Sequence, residues 1–358
     1  MTEKVLMKGN EAFAEAAIRG GSRYYFGYPI TPQSEIPEFM SRELPKRGGA
    51  FVQAESELAA INMAYGAAAS GGNVFISSSS PGIALMQEGL SFLCSAQVPI
   101  VILNVSRCGP GVGGIQPGQS DYYQATRGGG NGDYHIPVFA PDNIQSAVNL
   151  LYEATDLSQR LRNPVMILAD GMMGQMMEPV LLPEPKYVPT LEELPKYRPW
   201  AVTGTAKGYR NVVNSLFLQP DQLEASVEKI FQKYNDFMPE LTKYETVGLE
   251  DAEVVFVAFG TTARITREAI EILEAKGVKA GLIRPISLWP FPKEAFDQLG
   301  AKTKVVISTE LSMGQMIDDV ERCVAGRAPV RLIHRAGGIV PTSLEVVEKA
   351  LNILGDYR

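Results

Sequence analysis

VPIVILNV, residues 98–105, is the stretch on which the fold turns. It is apolar almost without interruption. A strand reads this way when both of its faces are covered, as in a parallel sheet held between two layers of helices. Outward from it the pattern repeats. Arg23–Tyr28 (RYYFGY), Asn73–Ser78 and Pro164–Ala169 read as further strands. Gly9–Arg19, Pro32–Arg42, Glu57–Ser70, Pro81–Ala96 and Asp142–Ser158 read as helices set between them. Alternation of this kind predicts an α/β fold with a parallel sheet.

The composition changes at LPEPKYVPTLEELPKYRP, residues 182–199, which holds five prolines. Proline fixes φ and lacks an N–H, so this stretch is expected to run extended over the surface. A helical segment at Gln222–Tyr234 and polar residues up to 250 follow. The alternation then restarts. Glu253–Phe259, Val278–Ile283, Lys304–Ser308 and Val330–His334 read as strands. Ala263–Lys276, Pro292–Leu299 and Gly314–Ala325 read as helices, with a turn at Gly260–Thr262. The expected organisation is a parallel-sheet domain over 1–185, a linker with a small helical insert over 186–248, and a smaller α/β domain over 249–358.

The chain has 358 residues, which at roughly 100–200 per domain suits two or three domains. Its 45% apolar and 20% charged residues are ordinary for a globular protein. A net charge of −7, without a basic stripe, argues against nucleic acid and against an anionic membrane surface as partner. No run reaches the ~18 apolar residues of a membrane span, and the opening MTEKVLMKGNEAFAEAA lacks the apolar stretch of a signal peptide. A cytoplasmic protein is expected. Cys94, Cys108 and Cys323 are far apart and form no C-x-x-C pair, so neither a disulfide framework nor an iron–sulfur cluster is expected within this chain. His135 and His334 stand outside any metal-ligand spacing, and no metal site is expected here.

Five loops stand out. Tyr28-Pro29-Ile30-Thr31-Pro32 follows the RYYFGY strand, and ligands of open parallel sheets bind at such strand ends. The same residues also suit a rigid turn with Thr31 as N-cap and Pro32 in the first helical turn. Glu57 opens a helix rich in alanine. It complements the positive helix N-terminus, or else is a buried carboxyl, held protonated by burial, that hands a proton to a ring nitrogen. Ser77–Ser80 with Pro81 and Gly82 ends a strand in hydroxyls, which suits either an anion or an ordinary serine cap. Arg107 ends the most apolar strand and fits a bidentate carboxylate clamp or a structural ion pair. Nine glycines follow it between Gly109 and Gly132, in no P-loop or dinucleotide-binding pattern. A loop of that length inside a domain points to function. Finally, Asp170–Met177 carries four methionines in six residues, an adaptable apolar wall or plain core. Thr31, Glu57, Ser80 and Arg107 all fall at strand ends or helix starts, which in one parallel sheet share one edge.

YPITP, AESELAA, SSSSPGIALMQEGL and NVSRCGPG, in this order and spacing, resemble the α subunits of 2-oxoacid:ferredoxin oxidoreductases. The resemblance covers nearly the whole chain. It implies a thiamine-diphosphate-binding domain of the pyrimidine type followed by a transketolase-C-terminal-like domain. The loop GGIQPGQSDYYQATRGGGNGDY looks most like the branched-chain branch, which acts on 3-methyl-2-oxobutanoate. The resemblance further implies that thiamine diphosphate lies between two subunits, with Glu57 at N1′ of its aminopyrimidine as the catalytic carboxyl. Tyr28, Pro29, Ile30, Ser80 and Gly82 would line the cofactor. Thr31 and Arg107 would hold the carboxylate and carbonyl of the substrate. Oxidative decarboxylation then passes electrons singly to iron–sulfur clusters, and CoA takes the acyl group.

The Gly-Asp-Gly and downstream Asn of the diphosphate–Mg2+ half are missing; Ala169-Asp170-Gly171 is the nearest string. The expectation is a β subunit carrying that half, clusters in a ferredoxin-like subunit, a γ subunit completing the set, and ferredoxin as acceptor. Pyruvate, 2-oxoglutarate or an aryl oxoacid are rival substrates, since an apolar pocket discriminates a methylene by only about 1–3 kcal/mol. The absence of a further basic residue in the glycine loop before Arg127 disfavours a dicarboxylate. A non-catalytic scaffold is the rival from another class, and Glu57 counts against it.

Overall fold

The computed structural model describes residues 4–204 and 210–357. The first part of the chain runs β1 (Val5–Lys8), α1 (Gly9–Arg19), β2 (Tyr24–Gly27), α2 (Glu35–Glu43), β3 (Ala50–Gln53), α3 (Glu57–Ala69), β4 (Val74–Ser78), α4 (Ser80–Leu85), α5 (Gln87–Ser95), β5 (Val101–Ser106), α6 (Tyr122–Arg127), β6 (Val138–Phe139), α7 (Ile144–Leu161), β7 (Val165–Asp170), α8 (Gly171–Gln175) and β8 (Met177–Val180). The remainder runs α9 (Leu194–Tyr197), α10 (Pro220–Leu241), β9 (Tyr244–Val247), β10 (Val254–Val257), α11 (Gly260–Ala275), β11 (Ala280–Pro285), β12 (Ser287–Trp289), β13 (Val305–Glu310), α12 (Met316–Val324), β14 (Val330–His334) and α13 (Ser343–Gly355).

The apolar run that marked the sequence is β5, at the middle of a seven-stranded sheet ordered β12-β6-β7-β5-β4-β2-β3. Every pairing is parallel except that of β12 on β6. Successive side chains of a strand point to opposite faces, and both faces of β5 are covered. Ile102 enters the core with Ala60, Ala64 and Leu90 of α3 and α5. Val101, Leu103 and Val105 enter the opposite core with Phe13, Val148 and Leu151 of α1 and α7. This double burial is why the run shows no polar alternation.

A second sheet has the order β14-β13-β10-β11-β9 and is parallel except for β9. One face, with Val254, Phe256 and Ile307, packs under α11 and α13. The other, with Val255, Val257 and Val306, joins the same core as Ile102. The two sheets therefore share one apolar interior. Strand exchange ties them further: β12, from the C-terminal part, pairs antiparallel with β6 of the first sheet. A buried ion pair, Arg284 to Asp142 at 3.1 Å, lies at the same junction.

Residues 186–248 do more than span a gap. Arg198 donates to the Gly71 carbonyl and the Asn73 side chain. Ile230, Tyr234 and Leu241 of α10 enter the core under α1 and α7, and β9 joins the second sheet. Other departures have local causes. The expected helix Pro81–Ala96 divides at Met86 into α4 and α5. Gly260–Thr262, expected as a turn, already belong to α11, because Gly260 takes φ +59° and turns the chain within one residue. Within the expected helix Pro292–Leu299, Lys293–Gln298 form a 3-10 helix rather than an α-helix. The strands β1, β3, β6, β8, β9 and β12 have two to four residues each, too few to show a period. No helix among the described residues is long and apolar enough to cross a membrane.

Candidate functional site

The carboxyl ends of β3, β2, β4, β5 and β7 lie side by side along the first sheet, and the five loops singled out in the sequence begin there. Glu57 is the first residue of α3, where Ser56 caps the helix by accepting the Ala59 N–H at 3.2 Å. The Glu57 side chain is only 5% exposed and has no ion-pair partner among the described residues. It lies directly over Gly82 of α4: a Cβ built on Gly82 would stand 2.6 Å from Glu57 Oε1 and 2.0 Å from Ser78 Oγ. The missing side chain at Gly82 is thus the space that Glu57 fills.

From Gly82 the contacts continue to Arg107 and Thr31. Ser80 Oγ donates to the Arg107 carbonyl at 3.1 Å and accepts the Arg107 N–H at 3.0 Å. Arg107 Nη1 donates to the Thr31 carbonyl at 2.9 Å. Glu57, Gly82, Ser80, Arg107 and Thr31 therefore form one connected series along the sheet edge. Tyr28, Pro29 and Thr31 stand exposed beside it, and Ile30 is half-buried. Of the plain-turn readings, the Thr31 N-cap does not hold, whereas Ser79 does stand at the N-cap of α4 with Pro81 in its first turn. The helix after Thr31-Pro32 starts only at Glu35, and the Ser79 side chain makes no cap bond to α4.

Arg107 departs from a simple carboxylate clamp. Its guanidinium already holds two backbone carbonyls, Thr31 O and Val112 O at 2.8 Å, and its Nε is buried without a partner. Two N–H groups are spent on joining the proline loop to the glycine loop, and the rest of the fork remains. Nor is Arg107 a structural ion pair, since it touches no carboxylate at salt-bridge distance among the described residues. Arg107→Lys keeps the charge but loses the planar fork. On the role that the resemblance implies for Arg107, the expected result is a raised KM for the 2-oxoacid with cofactor affinity nearly unchanged. A lowered melting temperature with unchanged KM would leave Arg107 as a loop tie alone.

Several further residues hold this edge; Ser77, Asp121 and Gln175 lie in segments already singled out, whereas Asn10, Gln33 and Glu35 were not marked in the sequence. Asn10 and Gln175 donate to the Pro32 carbonyl at 2.8 and 2.9 Å and so fix the proline loop. Beneath it Ser77 donates to Gln33 Oε1 at 2.6 Å, and Tyr25 shares a hydrogen bond with Ser77. Glu35 supports the same loop. Burial alone would raise its pKa, but hydrogen bonds from Lys8, Asn10 and Gln175 outweigh this and hold it below the usual range. Asp121, in the glycine loop, accepts from Asn104 at 2.7 Å. Burial pushes its carboxyl up, against the pull of Ser80, Asn104 and Arg107.

The glycine loop is not free. Gln119 donates through Nε2 to Phe259 O at 2.8 Å and accepts the Leu311 N–H at 2.9 Å. Gln315 does the reciprocal job, donating to Ser120 O and accepting from Tyr123 N, both at 2.8 Å. The second sheet thus holds the loop that follows Arg107. Two cavities flank that loop. One of about 560 Å³ is lined by Thr31, Glu35, Ile115, Met172 and Val340. The other, of about 630 Å³, is lined by Ser80, Leu85, Cys108, Asp121 and Met313. Met172, one of the four clustered methionines, lines the first, whereas Met173 is core. Among the described residues no group of three or more His, Cys, Asp or Glu is placed to hold a metal ion.

Comparison with known proteins agrees with this geometry. Residues 15–234 match the family described as pyruvate flavodoxin/ferredoxin oxidoreductase, thiamine diphosphate-binding, and residues 252–346 match core domain II of pyruvate:ferredoxin oxidoreductase. The chain is 44% identical to ketoisovalerate oxidoreductase subunit VorB of Methanothermobacter thermautotrophicus, with 98% of each chain covered. It is 35% identical to 2-oxoglutarate synthase subunit KorA of Archaeoglobus fulgidus, over 98% of this chain and 100% of that one. Among solved structures, 2-oxoglutarate:ferredoxin oxidoreductase from Magnetococcus marinus, with 2-oxoglutarate, coenzyme A and succinyl-CoA bound, superposes with a TM-score of 0.86 at 27% identity. That match takes in 98% of this chain, which spans 65% of the length of the Magnetococcus chain. The fold also resembles a split-gene transketolase, with a TM-score of 0.59 at 15% identity. On these matches the chain belongs to the 2-oxoacid:ferredoxin oxidoreductase family, as a subunit that carries its thiamine-diphosphate-binding domain.

Proposed function

We propose that this chain is the α subunit of a complex that oxidatively decarboxylates a branched-chain 2-oxoacid, 3-methyl-2-oxobutanoate, delivering the acyl group to CoA and electrons to ferredoxin. The observation that carries the reading is the series Glu57, Gly82, Ser80, Arg107 and Thr31, with a buried carboxyl at one end and a guanidinium at the other. When bound, thiamine diphosphate supplies the carbon nucleophile that attacks the 2-oxo group and receives the electrons left by CO2. The residues present fit its aminopyrimidine half. Ser78 Oγ and Ser79 Oγ are buried without partners beside the cradle left by Gly82, and Glu57 has no competing cation. In this reading Glu57 holds or moves a proton at N1′. Arg107 and the Thr31 loop orient the oxoacid carboxylate.

The diphosphate half does not fit here. Asp170, in the string nearest to a diphosphate motif, caps α8 through Met172 N and Met173 N and accepts the Thr261 N–H. A β subunit with the diphosphate and Mg2+ site is therefore inferred, with iron–sulfur clusters in a ferredoxin-like subunit, a γ subunit, and a cytoplasmic location. Exposed Tyr28, Val52, Leu58 and Met63 around Glu57 support a partner over this edge. The branched-chain preference rests on two points. The 44% identical relative is named for ketoisovalerate. The cavity beside Thr31 is lined by Ile115, Met172 and Val340 with no lysine, arginine or histidine to receive a second carboxylate.

The test is titration of the assembled complex with thiamine diphosphate and a panel of 2-oxoacids, following reduction of a low-potential acceptor. The highest kcat/KM is expected for 3-methyl-2-oxobutanoate. Preference for 2-oxoglutarate would overturn the substrate, and no 2-oxoacid-dependent reduction would overturn the activity. The isolated chain is expected to bind thiamine diphosphate weakly in calorimetry, and tight binding would contradict the shared site.

A further inference from the structure

We propose that a third cavity, at the amino edge of the first sheet beneath the proline-rich segment, binds a small phosphate monoester. The inference is independent of the function proposed above, because this edge is the one opposite to Glu57 and Thr31. Arg23, Gly48 and Gly72 stand shortly before β2, β3 and β4, whereas Thr31, Glu57 and Ser80 follow those strands. Residues of the segment between Lys186 and Arg198 form the other wall, and the cavity measures about 470 Å³.

The chain carries a net charge of −7, yet three cations, Arg23, Lys186 and Arg198, line this cavity and no aspartate or glutamate does. Lys186 is paired with Asp156 at 2.6 Å. The two guanidiniums have no carboxylate at salt-bridge distance among the described residues. Arg198, only 7% exposed, donates to the Gly71 carbonyl and the Asn73 side chain. Arg23 donates through Nη1 to the Ile18 and Ser22 carbonyls, at 3.0 and 2.8 Å. These oxygens satisfy N–H groups but bring no formal counter-charge. A guanidinium has five N–H donors, so part of each fork is left for a ligand. Glu193, beside the cavity, is already engaged by the Tyr187 hydroxyl and the Thr190 N–H. Burial pulls both guanidiniums below their usual pKa, and the neighbouring Arg47 adds to this at Arg23. Buried charges are normally paired, and an anion in the cavity would pair these.

The chemistry of the walls selects the anion. Two guanidiniums without counter-charge match about two negative charges on one compact group. A phosphate monoester carries roughly −1.5 to −2 at pH 7, and its oxygens suit the planar fork of arginine. A single carboxylate supplies half of that. The remaining wall receives the organic part of the ester, with Tyr24, Val188, Leu191 and Leu194 offering apolar surface. A ligand there would lie between the linker and the sheet. It would add to the fastening that Arg198 already makes to Gly71 and Asn73.

The test is calorimetric titration of the full chain at constant ionic strength and about pH 8, above the second phosphate pKa of about 6. One phenyl phosphate per chain is expected. Inorganic phosphate should bind more weakly, since it has no apolar body to set against Val188 and Leu194. Benzoate, with the same ring and a single charge, should bind at least about tenfold more weakly than phenyl phosphate. Arg23→Gln should weaken phenyl phosphate about tenfold or more, as for the loss of one partner of a desolvated charge pair. Leu191→Asp should do likewise by adding a negative charge to the wall at a residue 75% exposed, where the fold is not at stake. Arg331→Gln, which removes the same charge from β14 of the second sheet, should leave the affinity unchanged. The inference is wrong if benzoate binds as tightly as phenyl phosphate, or if neither phosphate probe binds at millimolar concentration. It is also wrong if Arg23→Gln and Leu191→Asp both leave the affinity unchanged, which would put the phosphate elsewhere. Equal weakening by Arg331→Gln would reduce the effect to overall charge and overturn the site as well.

Discussion

Glu57→Gln is expected to leave the assembled complex folded and loaded with cofactor, yet lower its turnover by about 10²–10⁴-fold, the range for a positioned proton-transfer group. Glutamine has the shape of glutamate, so it should occupy the space over Gly82 and keep α3 in place. It can still hydrogen-bond a ring nitrogen, so cofactor affinity should change little. What it lacks is a proton to give or take. The cost to the helix is small, since exchanging a carboxylate for an amide at an N-terminus forfeits only about 0.3–1 kcal/mol. The measurement is the steady-state rate of 2-oxoacid-dependent reduction, with bound cofactor determined on the same sample. Near-normal turnover would remove Glu57 from the proton path. Lost cofactor with a proportionate loss of rate would make it a binding residue only.

The sequence disclosed the site better as a set of places than as a set of contacts. Residues at the ends of strands in one parallel sheet must share an edge, so the grouping of Thr31, Glu57, Ser80 and Arg107 followed from alternation alone. What each side chain does there did not follow. Arg107 at a strand end reads the same whether it clamps a carboxylate or ties two loops. Only the carbonyls of Thr31 and Val112 reveal that part of the guanidinium is already engaged. Amides such as Asn10, Gln33, Gln119 and Gln175 have neither charge nor period to mark them, and each becomes meaningful only through partners more than twenty residues away.

The fold shows the same division. Central strands were legible because burial on both faces writes an unbroken apolar run. The edge strands were not, because a ladder of two to four residues is set by its neighbour's hydrogen bonds rather than by its own side chains. The donation of β12 to the first sheet and the anchoring of the glycine loop on Leu311 and Phe259 are long-range events of this kind. They make the second sheet a structural wall of the candidate site, which no linear reading of a proline-rich linker and a second α/β domain implies.

Gly82→Ala is expected to reach nearly the same loss of turnover as Glu57→Gln, by a different route. Gly82 lies in α4 without a positive φ, so alanine is allowed by the backbone and favoured in a helix by about 1 kcal/mol. Any loss must come from the added methyl. That methyl would stand 2.0 Å from Ser78 Oγ, 2.6 Å from Glu57 Oε1 and 2.7 Å from Glu57 Cγ. Ser78 can turn its hydroxyl aside. Glu57 cannot yield without leaving the position from which it would reach a ring nitrogen. Overpacking of this kind costs about 1–3 kcal/mol of stability, so the melting temperature should fall modestly while turnover falls steeply. A double-mutant cycle separates the two effects. If Gly82 acts by making room for Glu57, then Gly82→Ala should take little further activity from a Glu57→Gln complex, because the proton-transferring group is already gone. Losses that multiply in the double mutant would show Gly82 acting on something other than Glu57, and a Gly82→Ala complex with full turnover would show that the carboxyl does not need this position at all.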